Sequence, residues 1–216
     1  GDFVVRIKVP KNMDAVLKDQ ILGTISIELN ILDDFIILRS DTTPTYMLSV
    51  VVDDHDMKIT DVIRGDDHLT NTFKQIIIYK LLNWQLPKFS HIPLIHGTDG
   101  TKLSKRHGAL NVMNYKELGY LSEALNNYLL RLGWGYKDKE IFSMEEAISI
   151  FQLKNIGKSA ARFDKNKLDF LNSHYIKSID ASKLSNLSNF EDLFKGEDEN
   201  KVDALVKLFR DRADNL

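Results

Sequence analysis

The feature that most constrains this fold is a pair of apolar runs that each stop in a cluster of charge. Met47-Leu48-Ser49-Val50-Val51-Val52 ends in Asp53-Asp54-His55-Asp56, and Ile59-Thr60-Asp61-Val62-Ile63 ends in Arg64-Gly65-Asp66-Asp67-His68. A near-continuous apolar run has the character of a strand covered on both faces. Two such strands predict an α/β fold with a parallel sheet and a ligand site at its carboxyl edge. Carboxylates and imidazole suit a divalent ion, but adjacent residues on one chain seldom converge on one, so Asp53 to Asp56 are expected to turn the chain and cap helices. Asp66 and Asp67 precede a helical pattern and favour its positive end.

The rest of the chain separates into a β-rich start and a helical second half. Asp2 to Val9, the alternating stretch Gly23 to Leu29 and Phe35 to Leu38 read as strands, with turns at Pro10-Lys11-Asn12 and Asp33-Asp34. Phe73, Ile76, Ile77 and Leu81 recur at helical spacing and predict a helix from about Thr70 to Trp84. From residue 120 onward helical patterns dominate. Ser122 is placed to cap a helix carrying Leu125, Leu129 and Leu132 that stops at Gly133, and Ser143-Met144-Glu145-Glu146 fits a capping box. Further helices are expected at Lys165 to Leu171 and around Val202, Leu205, Val206 and Phe209. Trp134 and Tyr136 are read as packing residues, because no basic groove surrounds them.

Composition excludes several classes. No run approaches the roughly 18 apolar residues of a membrane span. The absence of cysteine rules out disulfides and thiolate-bound zinc, and fits a reducing compartment. A net charge of −2 argues against non-specific coating of nucleic acid, while 29 Lys and Arg leave room for a local basic face.

One such place is Gly97-Thr98-Asp99-Gly100-Thr101-Lys102-Leu103-Ser104-Lys105-Arg106-His107-Gly108, which follows the short apolar run Ile92-Pro93-Leu94-Ile95. Its glycines predict a mobile loop leaving the end of a strand. It is not a Walker loop. Lysines there suit a polyphosphate, whose negative charge they can follow through phosphoryl or nucleotidyl transfer.

Lys102-Leu103-Ser104-Lys105-Arg106 resembles the Lys-Met-Ser-Lys-Ser signature of class I aminoacyl-tRNA synthetases. Pro44-Thr45-Tyr46, Val50 to Met57, Thr60 to His68, Gly119-Tyr120-Leu121 with Glu123 to Leu129, and Leu132-Gly133-Trp134 occur in order beside it. Together, over about residues 1 to 178, they resemble bacterial-type glutamyl-tRNA synthetases. The resemblance implies the second half of a Rossmann-type catalytic domain with part of an acceptor-binding insertion, followed by a mainly helical stem-contact domain. The implied boundaries are 1–40 for the insertion, 41–119 for the catalytic part, and 120–216 for the stem-contact domain and the start of an anticodon-binding region. It implies a cytoplasmic, monomeric enzyme that uses ATP with Mg2+ to form glutamyl-adenylate and passes glutamate to the 3′ end of tRNA(Glu), with no protein-bound metal.

By the same resemblance, Lys102 and Lys105 are the catalytic candidates, with Leu103, Ser104 and Arg106 completing the ATP-binding loop. Tyr46, Arg64 and Asp67 are expected at the glutamate, whose carboxylate a bidentate guanidinium suits. Ser104 is expected to shape the loop rather than react, since a nucleophilic serine needs a paired base. Asp66 stands where the family more often has Glu. The His-Ile-Gly-His-type signature of the family is absent, since His91-Ile92 is followed by Pro93. The chain is therefore expected to be an internal fragment without activity alone. Two other readings stay open: a non-catalytic tRNA-binding module, and the truncated paralogue that glutamylates a modified tRNA base.

Overall fold

A computed structural model describes residues 3–11, 15–104, 111–185, 194, 196–213 and 215. The chain divides into two compact units, the first made of Gly1–Leu94 with Ile156–Ser159, the second of Ile95–Asn155 with Ala160–Leu216.

The first unit is built on a four-stranded mixed sheet. In sequence its elements are β1 (Val5–Arg6), β2 (Ala15–Asp19), β3 (Gly23–Ile27), β4 (Ile36–Leu38), α1 (Tyr46–Asp56), β5 (Asp61–Gly65), α2 (Leu69–Leu81) and β6 (Lys88–Ile92). The sheet order is β3-β2-β6-β5, and β1 pairs with β4 in a separate ribbon. β2 and β3 form an antiparallel hairpin from Ala15↔Ile27 to Asp19↔Gly23. β6 runs parallel to both β2 and β5, so the carboxyl ends of β2, β5 and β6 share one edge.

Two strand expectations need correction. Met47 to Val52 is not a buried strand but the first half of α1. Val51 is fully buried, and Met47, Leu48 and Val50 pack partly buried against the same core. The valines supply β-propensity, but one-sided burial against α2 and the core overrides it. Asp53 to Asp56 then complete the helix, and Lys58, at φ 56°, takes the left-handed position that ends it. The first strand is also much shorter than Asp2 to Val9, reduced to Val5–Arg6, both exposed.

β2 was not expected from the sequence. Its inward residues are Ala15, Leu17 and Asp19, so a carboxylate stands where an apolar residue would complete the alternation. The expected strands at Gly23 and Phe35 are present as β3 and β4, and the helix at Thr70 as α2. Phe73, Ile76, Ile77, Ile78 and Tyr79 of α2 join Leu17, Val51 and Phe89 in the core of this unit.

The second unit opens with β7 (Ile95–His96), which pairs in parallel with β8 (Ala161–Arg162). The rest is helical: α3 (Val112–Glu117), α4 (Ser122–Gly133), α5 (Met144–Ile150), α6 (Lys165–Ser178), α7 (Ala181–Ser185) and α8 (Glu199–Phe209). Leu125 and Tyr128 of α4 pack on Leu168 and Leu171 of α6, while Leu121 and Ala124 join Ile176, Leu184, Val202 and Val206. Asn172, fully buried, accepts the Leu121 N–H and donates to the Gly119 carbonyl. Leu121 thereby takes the N-cap position of α4 in place of Ser122. Ser143 caps α5 through the Glu146 N–H. Trp134 is buried, stacks on Tyr136 and donates its indole N–H to the Gln152 carbonyl, a packing role.

Candidate functional site

The site residues anticipated from sequence divide between the two units. Tyr46, Arg64 and Asp67 lie in the first, Lys102, Leu103 and Ser104 in the second. Lys105 and Arg106 lie outside the described residues.

Arg64 sits near the carboxyl end of β5, with Gly65 ending the strand. A Cβ built on Gly65 would come within 2.6 Å of the Asp67 carboxylate, so the bare backbone lets Asp67 fold back over the strand end. Asp66 to His68 form a single 3-10 turn that leads into α2. Tyr46 is the first residue of α1, after Thr45 in extended conformation. Its hydroxyl lies 3.5 Å from Arg64 Nη1 and 3.4 Å from His68 Nδ1. Tyr46, Arg64 and His68 therefore converge. Asp67 lies one turn away and is exposed.

The guanidinium is held from behind. Nη2 donates to Thr72 Oγ1 at 2.6 Å and to Gln75 Oε1 at 2.7 Å, both on α2 and both buried. Nε donates to His91 Nε2 at 3.4 Å, and the Phe89 ring lies 5.6 Å below the guanidinium carbon. His91 in turn meets Asp19, whose Oδ2 is 2.7 Å from His91 Nδ1. Both side chains have no exposed surface. Burial pulls Arg64 below its ordinary value, against the opposing pull of Tyr46 and Asp54. Burial also pushes the Asp54 carboxyl up, an effect Arg64 opposes. Burial works against ionised Asp19 too, but the N–H groups of Leu22, Ile21 and His91 and the His91 imidazole together hold it below its ordinary value.

This arrangement has a chemical consequence. An arginine offers five N–H donors. Three of them, on Nε and Nη2, are committed to protein acceptors, leaving Nη1 beside the Tyr46 hydroxyl. A carboxylate arriving there would meet the Nη1 N–H pair and a phenol. Sequence reading missed Asp19, Thr72, Gln75 and His91. The only local signal was an unexplained polar residue in each apolar segment.

In the second unit the basic loop begins as a closed turn. Gly97 N–H bonds the Thr101 carbonyl at 2.9 Å, Gly100 bonds back to Gly97 at 3.1 Å, and Leu103 N–H reaches Ile95 at 2.9 Å. The Asp99 carboxylate accepts the Thr101 N–H at 3.0 Å, and Gly100 takes the φ of +79° that the turn requires. Lys102 bridges back to His96, its side chain exposed. Up to Ser104, then, the expected mobile loop is a hydrogen-bonded hairpin turn that fixes where Lys102 leaves the backbone. Among the described residues no group of three His, Asp or Glu is placed to hold a metal ion, and no helix is long and apolar enough to cross a membrane.

Comparison with known proteins gives consistent answers. The family model for tRNA synthetases class I (E and Q), catalytic domain, matches residues 1–170. Glutamate–tRNA ligase 2 of Parvibaculum lavamentivorans is 51% identical over 219 residues, covering 99% of this chain and 45% of that protein. Glutamate–tRNA ligase 1 of Xanthobacter autotrophicus is 56% identical over 185 residues, 85% of this chain and 39% of that protein. A crystal structure of a glutamate tRNA ligase from Elizabethkingia meningosepticum, in complex with its amino acid, superposes with a TM-score of 0.87 at 33% identity. It covers 98% of this chain, and this chain spans 46% of it. The chain thus spans less than half the length of each of these relatives. Its α/β fold is that of the Rossmann-like catalytic domain of glutamyl-tRNA synthetases, and the chain belongs to the class I glutamate and glutamine tRNA synthetase family.

Proposed function

We propose that this sequence supplies the second half of the catalytic domain of a glutamate–tRNA ligase, with residues 1–40 contributing to the acceptor-binding insertion, 41–119 to the nucleotide fold, and 120–216 to the stem-contact and anticodon-proximal region. The ligase activates glutamate with ATP, releasing pyrophosphate, and transfers it to the 3′ end of tRNA(Glu). The observation that carries the reading is Arg64, aimed from the carboxyl edge of the sheet with Nη1 beside the Tyr46 hydroxyl. Such a pair suits a carboxylate of an amino-acid substrate. Asp67, exposed in the turn beyond the strand end, is proposed for the same ligand by the family resemblance alone.

The chemistry needs no general base, because a carboxylate is already a nucleophile toward the α-phosphate. It needs positive charge that follows the polyphosphate as the bond to the leaving pyrophosphate breaks. Lys102 and Lys105 supply that charge with help from Arg106, while Ser104 shapes the loop and Leu103 belongs to the same ATP-binding stretch. Mg2+ would arrive bound to the ATP phosphates, its usual mode with nucleotides, rather than in a cage of protein carboxylates.

The test is ATP–pyrophosphate exchange by the encoded chain, meaning this sequence carried within a ligase of its relatives' full length, with glutamate, glutamine and other amino acids, each with and without tRNA. Glutamate-specific exchange supports the ligase. Lys102→Ala should then lower its turnover by about 10²–10³-fold, with tRNA affinity nearly unchanged. Retained tRNA binding with no exchange for any amino acid would leave a non-catalytic module and refute the reading. Exchange with glutamate but transfer to an internal modified base, not the 3′ end, would favour the paralogue.

A further inference from the structure

If Arg64 recognises the amino acid, something must aim it, and the groups behind it are built for that purpose. Asp19 ends β2, and His91 stands opposite Arg64 in the parallel register of β5 and β6. Oδ1 of Asp19 accepts the N–H groups of Ile21 and Leu22 at 2.9 and 2.8 Å. Oδ2 accepts the His91 backbone N–H at 3.0 Å and faces His91 Nδ1 at 2.7 Å. A carboxylate occupied in this way can only accept, so Nδ1 carries the imidazole proton toward it.

The other ring nitrogen, Nε2, is 2.8 Å from Thr72 Oγ1 and 3.4 Å from Arg64 Nε. An arginine nitrogen can only donate. Nε2 must therefore present its lone pair, which is the form that Asp19 selects. The opposite tautomer would set an Nε2–H against the Arg64 Nε–H.

We propose that Asp19 and His91 are positioning residues for amino-acid recognition. The Asp19 carboxylate selects the His91 tautomer whose Nε2 anchors the Nε–Nη2 edge of Arg64, leaving Nη1 as the edge offered to the substrate carboxylate. The proposal rests on the reading of Arg64 as the substrate-binding cation. Neither Asp19 nor His91 touches the substrate. Both act through the guanidinium, so their effect belongs to amino-acid affinity and not to ATP.

D19N separates this role from a merely structural one. An amide turned to keep the Ile21 and Leu22 bonds points its NH2 at His91, giving up the bond from the His91 backbone N–H, forcing the other tautomer and confronting Arg64 with a donor. In the encoded chain, D19N should raise the glutamate KM in pyrophosphate exchange about 10–100-fold, the effect of losing one charge-assisted hydrogen bond. The ATP KM should stay within about twofold. In an Arg64→Lys background the same change should add little.

His91→Gln, whose Oε1 reaches the Nε2 position, should keep more glutamate affinity than His91→Asn, which can mimic only Nδ1. Should D19N fail to fold, this pair carries the kinetic test. Independently of activity, the unliganded chain with ¹⁵N-labelled histidine and arginine should show a protonated Nδ1 and bare Nε2 on His91, and a slowly exchanging Arg64 Nε–H. A protonated Nε2 in the wild type would overturn the proposal. So would equal changes in both KM values, or D19N and Arg64→Lys effects that simply add. Absence of exchange with every amino acid would instead remove the ligase reading, and the tautomer and Nε–H signals would still judge the dyad.

Discussion

Arg64 is the residue through which most of the local physics passes. Its two inner donors on Nη2 go to Thr72 and Gln75, each essentially without exposed surface. A lysine has one compact ammonium on a flexible stem and cannot hold these anchors while serving a ligand. Arg64→Lys is therefore expected to raise the glutamate KM of the ligase about 10–100-fold, with little change in the KM for ATP, as read by pyrophosphate exchange. Thr72→Val nearly preserves shape but leaves Arg64 Nη2 and His91 Nε2 each one partner short. It should lower stability by about 1–3 kcal/mol, measured by urea unfolding of the encoded chain. Arg64 could be singled out from the sequence because it stands in a motif resembling the family's at a strand end. Its supports were not, because Asp19 and His91 are 72 residues apart and meet only through β2 and β6.

At the scale of elements, helix ends were read more securely than the boundary between helix and strand. Ser143 caps α5 and α4 ends at Gly133, both where the sequence puts them, although Leu121 rather than Ser122 takes the N-cap of α4. The strand reading of Met47 to Val52 failed because a six-residue apolar run is compatible with either structure, and only the burial of one face decides it. α6 shows how strongly a cap can act. The Asp164 carboxylate accepts the N–H groups of Asn166 and Lys167 at 2.9 and 3.3 Å, and the helix it starts supplies Leu168 and Leu171, both fully buried. Asp164→Ala should lower stability by about 0.5–2 kcal/mol, visible as a lower urea midpoint and earlier loss of helical signal. The same change leaves Arg64 and its supports untouched, so glutamate affinity should hold.

At the scale of the whole molecule, several carboxylates tie stability to pH. Asp19 is held down by its N–H partners and His91 in spite of burial, Glu140 by Arg131 and Lys167, and Asp169 by Lys165 and Tyr120 against its own burial. A carboxylate whose folded value lies below its unfolded one adds stability above the unfolded value, and loses it as pH falls through the folded value. Asp54 runs the other way, since burial raises it and protonation relieves the cost. Three depressed groups stand against one raised group, so the urea midpoint should fall as pH drops below about 4. An unchanged or rising midpoint across that range would contradict the assigned directions. The sequence by itself determined the family, the α2 helix, the helical character after residue 120 and the motif that contains Lys102, because each rests on local pattern or an ordered motif. Tertiary structure alone decided that Met47 to Val52 is helical, that Ala15 to Asp19 is a strand, and that Asp19, His91, Thr72 and Gln75 stand behind Arg64. The physical reason is that one-sided burial and parallel register are properties of neighbours distant in sequence, which no local pattern encodes.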